Sequence, residues 1–163
     1  METIGTNLFI VDDDAILVTA LKGYLQNRFG QSIHISTFTD GDSCLEKVDK
    51  GTDIVILDYF LGDKNGLDIL KSIKAINPKT EVIMLSGNED MALAVETFRA
   101  GAKDYVVKGR HSWVRVTKTV NYIITKPIRL MVDEFSISRQ LAMILMACVT
   151  IGVVVFIVMQ MKR

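Results

Sequence analysis

Five polar side chains stand directly behind short apolar runs. Asp12 and Asp13 follow LFIV (8–11), Asp58 follows IVIL (54–57), Ser86 follows VIML (82–85) and Lys108 follows DYVV (104–107). Those at 8–11, 54–57 and 82–85, continuously apolar and rich in Ile and Val, read as parallel strands buried on both faces. In an open parallel sheet, ligands bind beyond the carboxyl ends of the strands, where the strand order reverses. With LFIV and IVIL as neighbours there, three carboxylates converge on one pocket, joined by a hydroxyl and an ammonium. Three carboxylates cannot all stay ionised at close range without a counter-charge. A hard divalent cation such as Mg²⁺ supplies it, held by carboxylates, a carbonyl and water. The lysine is then left for an anion that arrives with the metal, phosphoryl being the natural one, and the serine can donate a hydrogen bond to a phosphoryl oxygen. The set describes phosphoryl transfer onto a carboxylate.

The stretches between the runs must position these groups. IHISTF (33–38) alternates, as an edge strand does with one face wet. Ile16, Leu17, Ala20, Leu21, Tyr24 and Leu25 predict a helix over 14–29 with that stripe buried and Gly30 at its C-terminal cap. Further helices are predicted near 41–50, 66–76, 90–100 and 111–125, stopping at Gly51, Asn77-Pro78, Gly101 and Pro127. Five repeats of strand then helix define an α/β fold with a parallel sheet and right-handed crossovers. Asp14, at the start of the first helix, reads as its cap and not as a metal ligand.

FIVDDD, IVILDYFLGDKNGLDIL, VIMLSG and GAKDYVVK occur in an order and spacing that, over about residues 6–125, resembles the receiver domain of two-component response regulators. The resemblance implies a flavodoxin-like, doubly wound (βα)5 sheet of strand order 2-1-3-4-5, in a domain covering 1–126. It implies Asp58 as the phosphate acceptor, Asp13 as a direct Mg²⁺ ligand, Asp12 acting largely through metal-bound water, and the backbone carbonyl of Phe60 completing the metal set. Ser86 matches the family's switch hydroxyl and Tyr105 the aromatic that moves with it. Lys108 matches the lysine that pairs with the phosphoryl group, and Gly66 the glycine that opens the third helix. Two positions depart from the family pattern. Gly62 stands where proline usually lies four residues past the acceptor, and Gly109 where proline often follows the lysine across a cis bond. A cis bond without proline costs about 3 kcal/mol, so Lys108 is expected to approach with a different geometry or mobility.

Beyond residue 126 the composition changes. PIRLMVDEFSISRQ (127–140) carries Ile128, Met131, Val132 and Phe135 at helical spacing, and reads as a juxtamembrane linker that lies along a membrane surface or extends the fifth helix. Residues 141–159 hold no charge, and the uncharged span runs on to Met161. At ~1.5 Å per residue it reaches roughly 30 Å, so a single transmembrane helix is predicted over 141–161. Cys148 and Gly152 stand four apart within it, a spacing of small residues that allows helix dimerisation.

The formal net charge is zero, which gives no electrostatic footprint for nucleic acid. Cys44 and Cys148 cannot form a disulfide framework, and both read as buried small hydrophobes. METIGTN is not a signal peptide, having no basic region and only four apolar residues after it. His34 reads as partly exposed surface and His111 stands at a helix start, neither as a phosphodonor; Asp63 reads as solvated, and Trp113 and Tyr122 as core packing ahead of surface anchors. The function expected is that of a signalling module, not an enzyme. It is a single-pass protein of the cell membrane whose cytoplasmic receiver takes a phosphoryl group from a sensor histidine kinase or phosphotransfer protein. Phosphorylation then switches a protein–protein surface, with a homodimer or a membrane-protein partner as outlets. The alternative is a membrane-anchored receiver scaffold that works without phosphate. An aspartate-based phosphatase of the haloacid dehalogenase type would need a second acid where Phe60 stands.

Overall fold

The computed structural model describes residues 5–62, 64–135 and 139–161. The chain divides into two compact units, Met1–Asn121 and Tyr122–Arg163. In the first, strands β1 (Thr6–Val11), β2 (Ile33–Phe38), β3 (Ile54–Asp58), β6 (Glu81–Ser86) and β7 (Asp104–Val107) form one parallel sheet in the order β2-β1-β3-β6-β7. This is the expected 2-1-3-4-5 order, with two extra strands numbered within it. The continuous apolar runs occupy the middle: all five residues of β3 are buried, flanked by β1 and β6. Edge strand β2 alternates, Ile33 being buried and His34 exposed.

Helices α1 (Ala15–Phe29), α2 (Gly41–Leu45), α3 (Gly66–Ile76), α4 (Met91–Arg99) and α5 (Ser112–Phe135) alternate with these strands. Asp14 caps α1 as predicted, its Oδ1 accepting from the amides of Ile16 and Leu17 at 2.9 and 3.1 Å. The buried face of α1 differs from the predicted stripe. Val18, Leu21 and Leu25 pack inward, whereas Ile16 is 82% exposed. The first turn rises beyond the carboxyl end of the sheet, where no core exists to cover Ile16. Helix α2 ends at Leu45, short of the predicted 50, although Cys44 and Val48 both reach the core. Chain 46–53 is instead folded by Asp49, which accepts from Gly51 N–H and the Thr52 hydroxyl, so turn chemistry ends the helix early.

An unpredicted hairpin follows the central strand. β4 (Phe60–Leu61) pairs antiparallel with β5 (Lys64–Asn65), and Gly62 takes a φ of 59° at the turn. Glycine adopts this left-handed backbone without steric cost, which accounts for glycine at that place. Lys64 is paired with Asp42 of α2, and Asn65 caps α3 through Leu67 N–H at 2.9 Å. Asp63 lies outside the described residues.

In the second unit, α5 continues through Pro127 to Phe135, so the stretch from 127 extends the fifth helix. Helix α6 spans Arg139–Met161. Among the described residues, no helix is long and apolar enough to cross a membrane. The transmembrane helix predicted over 141–161 is therefore not supported by the fold. A crossing needs about 20 consecutive apolar residues, and the side chains at 141, 142, 152, 154–156 and 161, Gly152 of the small-residue pair among them, lie outside those described. Cys148 is exposed, contrary to expectation, while Cys44 is buried and its thiol is pushed up to about 12 by burial.

Candidate metal and phosphoryl site

Strand register brings the acids together. Val11 of β1 is level with Leu57 of β3, so Asp12 and Asp58 emerge side by side where the strand order reverses. Ligand oxygens of Asp12, Asp13 and Asp58 all lie within 4.8 Å of one another. Asp12 and Asp58 are buried and Asp13 is exposed. Asp12 is locked by its own turn, its Oδ1 accepting from Asp14 N–H at 3.0 Å. One turn thus holds both the acidic pair and the helix cap.

Lys108 reaches in from the end of β7. Its Nζ lies 2.8 Å from Asp12 Oδ2 and 2.8 Å from Asp58 Oδ2. The contact to Asp58 is a hydrogen bond. The contact to Asp12 is an ion pair at the same distance, and Lys108 is the group that faces Asp12 Oδ2. One ammonium against three carboxylates leaves excess negative charge in the pocket, which fits a hard cation held by carboxylate oxygens. Burial raises the Asp58 carboxyl above its ordinary value, and the neighbouring Asp12 adds to this, while the hydrogen bond from Lys108 works against both. For Lys108, burial would lower the ammonium, but the two carboxylates outweigh it and the net direction is up. The 2.8 Å geometry supports an ionised lysine neutralising a pocket that still carries excess negative charge.

Ser86 ends β6, fully buried. Its Oγ accepts from Asn88 N–H at 3.1 Å, and the Asn88 carbonyl accepts from the Tyr105 hydroxyl at 2.8 Å. Asn88 escaped sequence reading, although a polar residue two past the serine, in SGN, signals a side-chain-capped turn. Tyr105 is buried, at 5% exposure. Asp104 was also missed. Its carboxylate accepts from Arg115 Nη2 and the Thr119 hydroxyl, both at 2.7 Å, and so fastens β7 to α5. Arg115 and Thr119 stand four apart on one helix face, which was the available signal. Gly66 has a sharper role than opening α3. A Cβ there would lie 2.2 Å from the Asp58 carbonyl oxygen and 2.9 Å from Tyr59 Cα. Only glycine lets α3 close on the acceptor's backbone, and its N–H bonds the Tyr59 carbonyl at 2.7 Å. Phe60 is half exposed beside the acceptor. His34 is exposed, as expected, and so is His111. Trp113 is half-buried against Tyr24, ring centroids 5.4 Å apart, and Tyr122 is 41% exposed, so neither is core. There are no cis peptide bonds among the described residues, so the Lys108–Gly109 link is trans.

A doubly wound sheet with three acids, a lysine and a serine at its switch point forms a candidate acidic cation site beside an ion-paired lysine. The profile of the response regulator receiver domain matches residues 8–113, and the chain belongs to that family. It is 33% identical to chemotaxis protein CheY of Thermotoga maritima over 105 residues, covering 64% of this chain and 86% of that protein. It is 32% identical to transcriptional regulatory protein ZraR of Klebsiella oxytoca, covering 63% of this chain but 23% of that protein. The chain therefore spans under a quarter of that relative's length. Among solved structures, the BeF3-activated DrrB receiver domain shares 29% identity at a TM-score of 0.65, covering 74% of this chain and 97% of that one. The CheX–CheY–BeF3–Mg complex of Borrelia burgdorferi shares 27% at a TM-score of 0.62, covering 74% and 90%. The protein is thus a receiver domain of the two-component response regulator type.

Proposed function

We propose that Asp58 accepts a phosphoryl group from a sensor histidine kinase or phosphotransfer protein, with Mg²⁺ held by Asp12, Asp13, Asp58 and the Phe60 carbonyl. The observation that carries this is Lys108 Nζ standing 2.8 Å from both Asp12 and Asp58, within a cluster of three acids whose ligand oxygens lie within 4.8 Å of one another. When bound, the cation offsets the charge of the carboxylates and of the incoming phosphoryl oxygens. An Asp58 oxygen attacks phosphorus as the donor's bond to phosphorus breaks, and the donor nitrogen or oxygen leaves with the electron pair. Lys108 holds the group it already faces. Ser86 is one hydrogen bond from Asn88, and Asn88 one from Tyr105. A serine hydroxyl drawn to a phosphoryl oxygen releases the Asn88 amide, and the movement reaches Tyr105 and the α4 surface. Catalysis stops at acceptance and self-dephosphorylation of the acyl phosphate, so the module is a switch and not an enzyme.

The tail supports a tether by its sequence. Residues 140–161 carry no charge, and described side chains such as Met143, Ile144, Val149 and Met159 are exposed apolar surface. A receiver fed by a kinase then faces the cytoplasm from a single-pass anchor in the cell membrane. Acetyl phosphate and Mg²⁺ should give an acid-stable, alkali-labile label that Asp58→Asn abolishes. A folded protein taking no label from any donor supports the phosphate-independent scaffold instead. Alkaline carbonate extraction tests the tether: release of the chain into the supernatant removes it.

A further inference from the structure

We propose that Ser112 is a positioning residue for Lys108, holding the link behind the lysine where no proline ring stiffens it. The proposal rests on the reading of Asp58 as acceptor and Lys108 as its phosphoryl partner. Lys108 must keep its ammonium within 2.8 Å of two buried acids. Upstream its backbone is fixed, since Lys108 N–H bonds the Ser86 carbonyl at 2.7 Å. Downstream stands Gly109, the residue type with the greatest backbone freedom. A Cβ there would meet nothing within 4 Å, and a cleft of about 280 Å³ lined in part by Lys108, Gly109 and Ser112 opens alongside. Neither a ring nor packing therefore restrains this peptide.

The restraint comes from Ser112. Its N–H donates to the Gly109 carbonyl at 3.1 Å, and its hydroxyl donates to the same oxygen at 2.8 Å. Ser112 is 7% exposed, so water competes poorly for that hydroxyl. These two hydrogen bonds to one carbonyl hold the Gly109–Arg110 peptide to the first turn of α5, so the chain is held on both sides of the Lys108–Gly109 link. A hydroxyl that merely tightened that turn would leave the lysine unchanged, and the two roles separate by experiment.

The test uses the full chain with Ser112→Ala and Ser112→Thr. Three quantities are measured: the initial rate of labelling by acetyl phosphate at saturating Mg²⁺, Mg²⁺ affinity by calorimetry, and the Lys108 signal in ¹³Cε-lysine NMR spectra, assigned by its loss in Lys108→Arg. Ser112→Ala should slow labelling about fivefold, the effect of one lost hydrogen bond. Its Mg²⁺ affinity should stay unchanged while the Lys108 signal moves toward those of exposed lysines. Ser112→Thr should restore both rate and signal. Wild-type rate and an unmoved Lys108 signal in Ser112→Ala overturn the proposal. So does a rate that falls only with thermal stability, with the lysine signal unmoved and no rescue by threonine. If the wild type takes no label, the acceptor reading fails, and the Lys108 signal still decides the positioning role.

Discussion

Replacing Lys108 by methionine removes one ammonium from between two buried carboxylates. Each 2.8 Å contact carries roughly 6 kcal/mol of attraction at an effective dielectric constant of about 20. Desolvation of the lysine offsets most of it. Removing one partner of a buried pair costs about 3–5 kcal/mol, chiefly because the remaining charge is stranded. The Lys108 side chain is 26% exposed, so solvent screening lowers the expected loss to about 2–3 kcal/mol. Urea unfolding followed by circular dichroism in metal-free buffer should show a midpoint lower by about 1–2 M. The loss requires ionised carboxylates. Burial already raises the Asp58 carboxyl in the folded chain, and loss of the ammonium raises it further, so the folded variant binds protons more readily than the unfolded one. Its deficit is then full where the folded carboxylates are ionised and shrinks as pH falls through the raised Asp58 value. Saturating Mg²⁺ should stabilise the variant more than the wild type, because the cation supplies the missing charge. Equal stability of the two proteins without metal, or a deficit that persists unchanged at low pH, refutes the reasoning.

Three further outcomes follow from the same geometry. Gly66→Ala puts a Cβ 2.2 Å from the Asp58 carbonyl oxygen, so it should cost about 2–3 kcal/mol in urea unfolding and slow labelling of Asp58. Asp14→Ala removes a cap that serves two amides; it should lower stability by about 1 kcal/mol while leaving Mg²⁺ affinity by calorimetry unchanged, since the cap and the metal site are separate devices. Tyr105→Phe loses the bond to the Asn88 carbonyl and should cost about 1 kcal/mol, with Asp58 labelled at the wild-type rate.

The sheet was legible because three runs without a polar residue leave little choice but a strand buried on both faces, and the polar residue ending each run fell where the sheet opens. The chemistry of Asp12, Asp58 and Lys108 was legible for that reason. Helix faces were less so. Ile16, Leu17 and Ala20 satisfy a helical stripe in sequence, but a stripe does not say where the sheet beneath it ends. Helix α2 was overextended because Cys44 and Val48 keep helical spacing through a turn set by Asp49 and Thr52. The β4–β5 hairpin is carried by Gly62 in FLGDKN, a turn signal whose flanking strands of two residues each are too short to show a strand pattern. Asn88, Asp104 and Ser112 act through backbone atoms or a distant helix, and pairings of that kind depend on tertiary placement that composition does not encode.

The central claim is that Asp58, and no other acid of the cluster, takes the phosphoryl group. Borohydride reduction converts an aspartyl phosphate to homoserine, which peptide mass spectrometry can place in the chain. After treatment with acetyl phosphate and Mg²⁺, homoserine should appear at position 58 alone and disappear when Mg²⁺ is chelated beforehand. Homoserine at position 12 or 13, or its absence from a folded and metal-loaded chain, would contradict the account.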